Sequence, residues 1–285
     1  MKTMESVSIG HGIEIAYTDE GSSETVLVFI HGLANYHGVW SKNTEELKKD
    51  FRCISIDLPG NGLSSKSTER PYSLFFYSEC AQLMLKELHI EKAILVGHSM
   101  GGHIAMIFSL RYPSMCEKLI LLAPSGFEQF SSLEKAWMKQ MMELGSFLVS
   151  DESSLVTAIQ NSFYKNSQQQ SSKIISDLKS YFPLHNGLHW SKMVRANIHA
   201  MLDEQIGVFL SEIRVPVLVI FGKEDAMIPN KMVHPMETTE GIAKKASALI
   251  PDCTYELISG AGHFVQMEAA EKCNELISKF LLKTN

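Results

Sequence analysis

A chain of 285 residues, 45% hydrophobic and 20% charged, has the composition of an ordinary globular protein and is long enough for one large domain with an insertion. Its 26 Lys and Arg against 32 Asp and Glu give a formal net charge of -6, with the basic residues scattered, which argues against nucleic acid and anionic membrane surfaces as partners. Five cysteines, odd in number, widely spaced and without a C-x-x-C pair, suggest neither a disulfide framework nor a zinc site.

The first ten residues lack the apolar core of a signal peptide, and no stretch approaches the length of apolar sequence that spans a bilayer. The expectation is a cytoplasmic protein without stable membrane insertion. Nothing in the chain speaks to its oligomeric state.

In chain order, Val7 to Ile9 and Ile13 to Tyr17 alternate around Gly10-His11-Gly12 like an antiparallel hairpin. Thr25 to Ile30 is a continuous apolar run, the mark of a strand buried on both faces, and it stops at His31-Gly32-Leu33-Ala34-Asn35. A helix over 43–49, a strand over 51–57 and a turn-rich loop, Leu58-Pro59-Gly60-Asn61-Gly62-Leu63-Ser64, come next, then a helix over 72–88. Ile94-Leu95-Val96 and Lys118 to Ala123 read as two more buried strands. Strands alternating with helices, and nearly solid apolar character within the strands, predict an α/β fold with a mostly parallel sheet of about eight strands covered on both faces.

The alternation breaks from about Gly126 to about Gln205. That stretch is helix-prone, with a stripe at Leu133, Trp137, Met141, Leu144 and Leu148, a polar interruption over 165–172, and further apolar residues at Trp190, Met193 and Met201. It predicts a helical cap over 126–205, inserted into a core formed by 1–125 and 206–285. Such stripes usually mean the cap's own packing, and only a face turned towards the core would line a pocket. Pro216 to Gly222 resumes the sheet, Thr254 to Ile258 is its last strand, and a helix is predicted from Val265 to Leu282.

Ser99 sits in Gly97-His98-Ser99-Met100-Gly101, between the strand at Ile94 and a helical run through Ile104, Ala105 and Phe108. A serine hydroxyl is a weak nucleophile, so it must be held out on a sharp turn where a base can reach it. Glycines on either side remove side chains that would collide across that turn. The helix just beyond it turns its unpaired N–H groups and its dipole towards any developing negative charge. Asp225, in Gly222-Lys223-Glu224-Asp225, and His263, in Gly262-His263-Phe264, also come directly after strands, and a parallel sheet gathers the carboxyl ends of its strands along one edge. Asp57 ends a strand too, within the turn-rich Asp-x-Pro-Gly-x-Gly stretch. No H-E-x-x-H or comparable ligand spacing exists, so neither a metal nor a cofactor is expected.

Serine, then acid, then histidine, with the Gly-x-Ser-x-Gly turn, His31-Gly32, the loop from Asp57 to Ser64 and Gly262-His263-Phe264, resembles the α/β-hydrolase family over nearly the whole chain. The resemblance implies Ser99 as nucleophile, His263 as general base and later acid, and Asp225 as the carboxylate that orients it; Asp57 would be structural. It implies an oxyanion hole made by the backbone N–H groups of Leu33 and Met100. His31, Trp137, Met141 and Trp190 are the candidate substrate-binding residues. For His31, as for His98 and His103, the plain alternative is a structural hydrogen bond.

The expected activity is hydrolysis of carboxylic esters of small to medium apolar acids through an acyl-enzyme, as in carboxylesterases and lipases. A serine at position 99 excludes the dehalogenase and epoxide hydrolase chemistry of relatives that carry aspartate there. Carbon–carbon bond hydrolases of the meta-cleavage type share a Ser-Met-Gly-Gly stretch but carry Asn before the serine and Trp after the histidine, where this chain has His98 and Phe264. A non-enzymatic binding or signalling protein on the same fold is the remaining alternative. The loop from Asn230 to Gly241 is longer than the usual acid-to-helix connection, so it is either a surface excursion or a lip over the pocket mouth.

Overall fold

The computed structural model describes residues 4–143, 152–166, 168–181 and 187–282. The described residues form an eight-stranded sheet in the order β1-β2-β4-β3-β5-β6-β7-β8. The strands are β1 (Glu5–Ser8), β2 (Glu14–Glu20), β3 (Val26–Ile30), β4 (Arg52–Ile56), β5 (Ala93–His98), β6 (Cys116–Leu122), β7 (Val217–Gly222) and β8 (Cys253–Ile258). Pairings β1/β2 and β2/β4 are antiparallel and all others are parallel. Every residue of β3, β5 and β7 is buried, as their unbroken apolar runs require of strands covered on both faces. The edge strand β8 is less covered, and its burial alternates over Cys253 to Leu257.

Helices α1 (Ser41–Leu47), α2 (Leu74–Glu87), α3 (Met100–Arg111) and, after β7, α8 (Thr239–Ser247) cover the sheet. Ser73 starts α2 by accepting the Phe76 N–H, two residues later than the sequence suggests, because Tyr72 holds a left-handed φ of 46°. Met100 to Ser109 of α3 are all buried, so the helix behind Ser99 is fixed on every side. The predicted final helix divides at Ala269 (φ -128°, ψ 45°) into α9 (Val265–Glu268) and α10 (Ala270–Leu282).

Between β6 and β7 stand α4 (Ser132–Glu143), α5 (Glu152–Ser162), α6 (Gln168–Tyr181) and α7 (Gly187–Asp203). The polar run interrupts the helices only at its start, where Lys165 and Asn166 stand between α5 and α6; its residues from Gln168 onward open α6. That helix packs through one face, where Ile174 and Leu178 are buried four residues apart. The stripe on α4 is also displaced. Leu133 is 84% and Trp137 40% exposed, whereas Met142 is buried, so α4 packs on α7 through a face turned one residue further along. Leu144 and Leu148 of that stripe, and Ser167 of the polar run, lie outside the described residues.

Candidate active site

Ser99 stands directly between β5 and α3, with φ 53° and ψ -117°, a backbone conformation that costs energy for any residue with a Cβ. The surroundings hold it there. Its N–H donates to Leu122 O at 3.0 Å, and its carbonyl accepts the N–H groups of Gly102 at 3.0 Å, His103 at 3.2 Å and Ser125 at 3.0 Å. A Cβ on Gly97 would overlap the Gly101 carbonyl, and one on Gly101 would overlap the carbonyl of Ile30. A Cβ on Gly32 would stand 3.1 Å from the Ser99 Cβ, which shows how closely the β3 loop passes the serine.

Asp225 and His263 are joined. The imidazole Nδ1–H donates to Asp225 Oδ2 at 2.8 Å, with the carboxylate fully buried and the ring 8% exposed. The other carboxylate oxygen, Oδ1, accepts the N–H groups of Met227 at 2.7 Å and Ile228 at 3.1 Å, so the carboxyl plane cannot rotate without breaking three bonds. The His263 main chain is also held. Its N–H donates to Ser162 O at 3.0 Å, and its carbonyl accepts His98 Nε2–H at 2.9 Å. His98 is therefore a structural donor; burial, and then the neighbouring His263, push its pKa well below the ordinary imidazole value.

The rival carboxylate, Asp57, is buried among donors of its own: the His37 N–H at 2.7 Å, His37 Nδ1 at 2.9 Å and the Leu63 N–H at 2.8 Å. Burial raises its carboxyl, but the His37 ring and these donors outweigh that and leave it below the usual range. It organises the turn between β4 and α2.

Ser99 and His263 line one cavity of about 350 Å³, towards the small end of the usual range for ligand sites. Its core wall includes Leu33, Asn35 and Ser125, and its cap wall includes Met138, Met142, Leu155, Ile159, Ile198 and Met201. Met227, Ile228 and Asn230 close one side; past Asn230 the long loop leaves the cavity, and its Met232 and Met236 run out into solvent as a surface excursion. Apart from His263 and His98, no titratable side chain lines the cavity among the described residues. A larger open groove of about 960 Å³ beside α1 and α10, lined by charged residues such as Lys42 and Glu271, touches none of Ser99, Asp225 and His263.

Three of the four proposed substrate-binding side chains belong elsewhere in the fold, and the fourth stands beside the lining. His31 is fully buried beneath the β3 loop, donating Nδ1–H to Gly32 O at 2.7 Å and accepting the Leu58 N–H at 3.0 Å. Trp137 is on the solvent side of α4, and Trp190, on α7, is buried at 3% exposure but is not among the residues lining the cavity. Met141 is half-buried, next to the Met142 that reaches the cavity. The sequence shows apolar stripes on several cap helices but not which face turns towards Ser99, because that depends on how the helices pack on each other. Leu33 lies on the cavity wall, and Met100 is the first residue of α3, where a helix N–H has no intrahelical partner.

Buried neutral histidines make stability fall in acid. His103, fully buried and donating Nε2–H to Glu204 O at 3.0 Å, is pushed down by burial to about 4. Below about pH 6.5 the unfolded chain takes up a proton that the folded one refuses, so stability declines from about 6.5 to about 4. His103→Gln keeps a donor but does not titrate. Wild type should lose roughly 2 kcal/mol relative to this variant between pH 7 and pH 4.5, read as urea midpoints. A constant difference between the two proteins would contradict the assignment.

The family model of the alpha/beta hydrolase fold matches residues 25–270. A 2-hydroxy-6-oxononadienedioate/2-hydroxy-6-oxononatrienedioate hydrolase of Paraburkholderia phymatum is 26% identical over 279 residues, covering 95% of this chain and 92% of that protein. The AB hydrolase superfamily protein YisY of Bacillus subtilis is 29% identical over 301 residues, covering 98% and 97%. A thermophilic esterase from Thermogutta terrifontis, 21% identical, shares the fold with a TM-score of 0.78 over 99% of this chain and 98% of that one. Among the described residues no helix is long and apolar enough to cross a membrane. With this match over most of its length and an eight-stranded sheet that carries its serine on a strand-to-helix turn, the chain belongs to the α/β hydrolase family.

Proposed function

We propose that this protein is a serine hydrolase that cleaves uncharged carboxylic esters of small to medium apolar acids, with residues 126–205 acting as the cap that roofs its site. The observation that carries this reading is the cavity itself, which joins Ser99 and the Asp225-held His263 to a wall of methionine, leucine and isoleucine side chains without a carboxylate or a cation among the described residues.

The Nδ1–H bond to Asp225 leaves His263 Nε2 as the basic nitrogen. It takes the Ser99 hydroxyl proton as Oγ attacks the ester carbonyl, and the oxyanion forms against the N–H groups of Leu33 and Met100. Collapse breaks the bond to the alcohol oxygen, which leaves with the proton from Nε2. Water, deprotonated by the same nitrogen, then attacks the acyl-Ser99 ester and releases the acid. Asp225 stabilises the imidazolium at each stage and keeps its own charge.

The dioate hydrolases among the relatives favour a second reading, carbon–carbon bond hydrolysis on the same serine. A dioate carries two carboxylates, and burying them against this apolar wall without a cation costs several kcal/mol. The neutral ester fits better.

An acyl-length series from acetate to octanoate tests the proposal. Each methylene buried on the cap wall contributes about 0.8 kcal/mol, so kcat/KM should rise roughly threefold to fourfold per carbon until the cavity is filled. Met138→Ala and Leu155→Ala should move the optimum to longer chains, while Trp137→Ala leaves it in place. A flat series, or faster turnover of a ring-cleavage dioate than of any neutral ester, would overturn the ester assignment.

A further inference from the structure

We infer that Glu268 is a positioning residue for His263, acting by locking the cap segment after α5 onto the histidine loop; the inference rests on the proposed role of His263 as base. Glu268 lies on α9, five residues beyond His263, and its Oε2 accepts the Tyr164 N–H from the cap at 2.8 Å. Just ahead of Tyr164 in the chain the cap and the core meet twice more. Ser162 O accepts the His263 N–H at 3.0 Å, and the Phe163 ring stacks on Phe264 with centroids 4.7 Å apart and planes 10° from parallel.

The contact leaves no slack. A Cβ on Gly262 would stand 2.8 Å from Tyr164 N, 3.0 Å from Ser162 O and 3.2 Å from Glu268 Oε1, so only glycine lets the cap segment lie on this loop. Ser162 and Phe264 both line the cavity, which places the junction at the site and not behind it. The His263 ring answers to Asp225, but its backbone N–H answers to the cap. Without the carboxylate, Tyr164 N–H loses its acceptor, and Ser162 O is no longer pinned at the distance that holds the His263 main chain. Burial also pushes the Glu268 carboxyl up, against the pull of the backbone donors around it, as befits a group held in place by its contacts.

A residue that served only the fold would change thermal stability and leave chemistry untouched below the melting range. A positioning residue changes the rate at which His263 activates Ser99. The test compares wild type, Glu268→Ala, Glu268→Gln and Phe163→Ala at least 15 °C below each Tm, measuring the fluorophosphonate labelling rate and the kcat and KM for a p-nitrophenyl acetate and butyrate pair. Glu268→Gln keeps an oxygen for the Tyr164 N–H and should remain within about threefold of wild type. Glu268→Ala and Phe163→Ala should label at least tenfold more slowly and lose kcat by the same factor, with KM for acetate within about twofold.

Wild-type rates in both single-side variants while Tm falls would overturn the inference and leave the serine hydrolase reading intact. Should Glu268→Ala fail to fold, Glu268→Met decides in its place by the same tenfold criterion, because it keeps the bulk of the side chain but offers the Tyr164 N–H no acceptor oxygen. A wild-type protein that neither labels nor turns over an ester overturns both readings together.

Discussion

Ser99→Ala is expected to lower kcat for a neutral p-nitrophenyl ester by a factor on the order of 10⁶, the scale of losing a serine nucleophile that works with a paired histidine. The fold should survive the change. Ala accepts the left-handed φ of position 99 no more readily than Ser, and the four hydrogen bonds that hold that position are all made by its backbone. Removing one hydroxyl from a half-buried position should leave Tm within a few degrees. Substrate binding is also expected to survive, because the cap wall and the β3 loop are untouched. A variant that keeps its activity while Ser125→Ala loses it would show that the wrong hydroxyl had been chosen, since Ser125 lines the same cavity.

Asp225→Asn should cost on the order of 10⁴ in kcat, with little loss of stability, for a reason visible in the hydrogen bonds. Met227 and Ile228 both point N–H groups at Oδ1. In the asparagine variant the amide oxygen must take that place, which turns the NH₂ towards His263 Nδ1. Facing a donor, Nδ1 becomes the acceptor and the proton moves to Nε2, the nitrogen that has to take the proton from Ser99. The imidazole stays in position but in the tautomer that cannot act as base. If Asp57→Asn produced this loss in a folded protein and Asp225→Asn did not, the acid would have been misplaced. The Asp57 carboxylate is instead committed to His37 and Leu63, and its removal should appear as lost stability.

The sheet was legible in the sequence because its strands carry their own signature. Val26 to Ile30, Ala93 to Val96 and Val217 to Phe221 are solid apolar runs, and only a strand buried on both faces tolerates such a run in so short a segment. The placement of Ser99, Asp225 and His263 along one edge came from parallel pairing alone, which gathers residues far apart in the chain at the carboxyl ends of the strands. The cap was legible as helices and not as a wall. Trp137 and Met138 are adjacent in sequence, and a rotation of α4 by one residue decides which faces the substrate; that rotation is set by α7, a segment the periodicity of α4 does not see. Glu268 was equally hidden. A glutamate early in a terminal helix reads as a solvated charge, and its role depends on Tyr164, which is 104 residues away in the chain.

His98 shows the limit from the other direction. Eleven histidines offered many candidate bases, and three of them, His31, His98 and His103, turn out to be buried structural groups. His31 and His103 are pushed down to about 4, and His98 is also lowered by burial. Local sequence does not separate these from His263. What separates them is access to the cavity together with a carboxylate on the far nitrogen, and among the described residues His263 alone combines the two.

The proposed ester hydrolysis requires that an acyl group be carried on Ser99. Its most direct test is to inactivate the folded protein with a fluorophosphonate, digest it, and locate the added mass by peptide sequencing in a mass spectrometer. One equivalent of adduct is expected, on the Ser99 side chain, absent when a slowly hydrolysed ester has already acylated the protein. Adduct on Ser125 or another residue, or no adduct in a protein that hydrolyses esters, would contradict it.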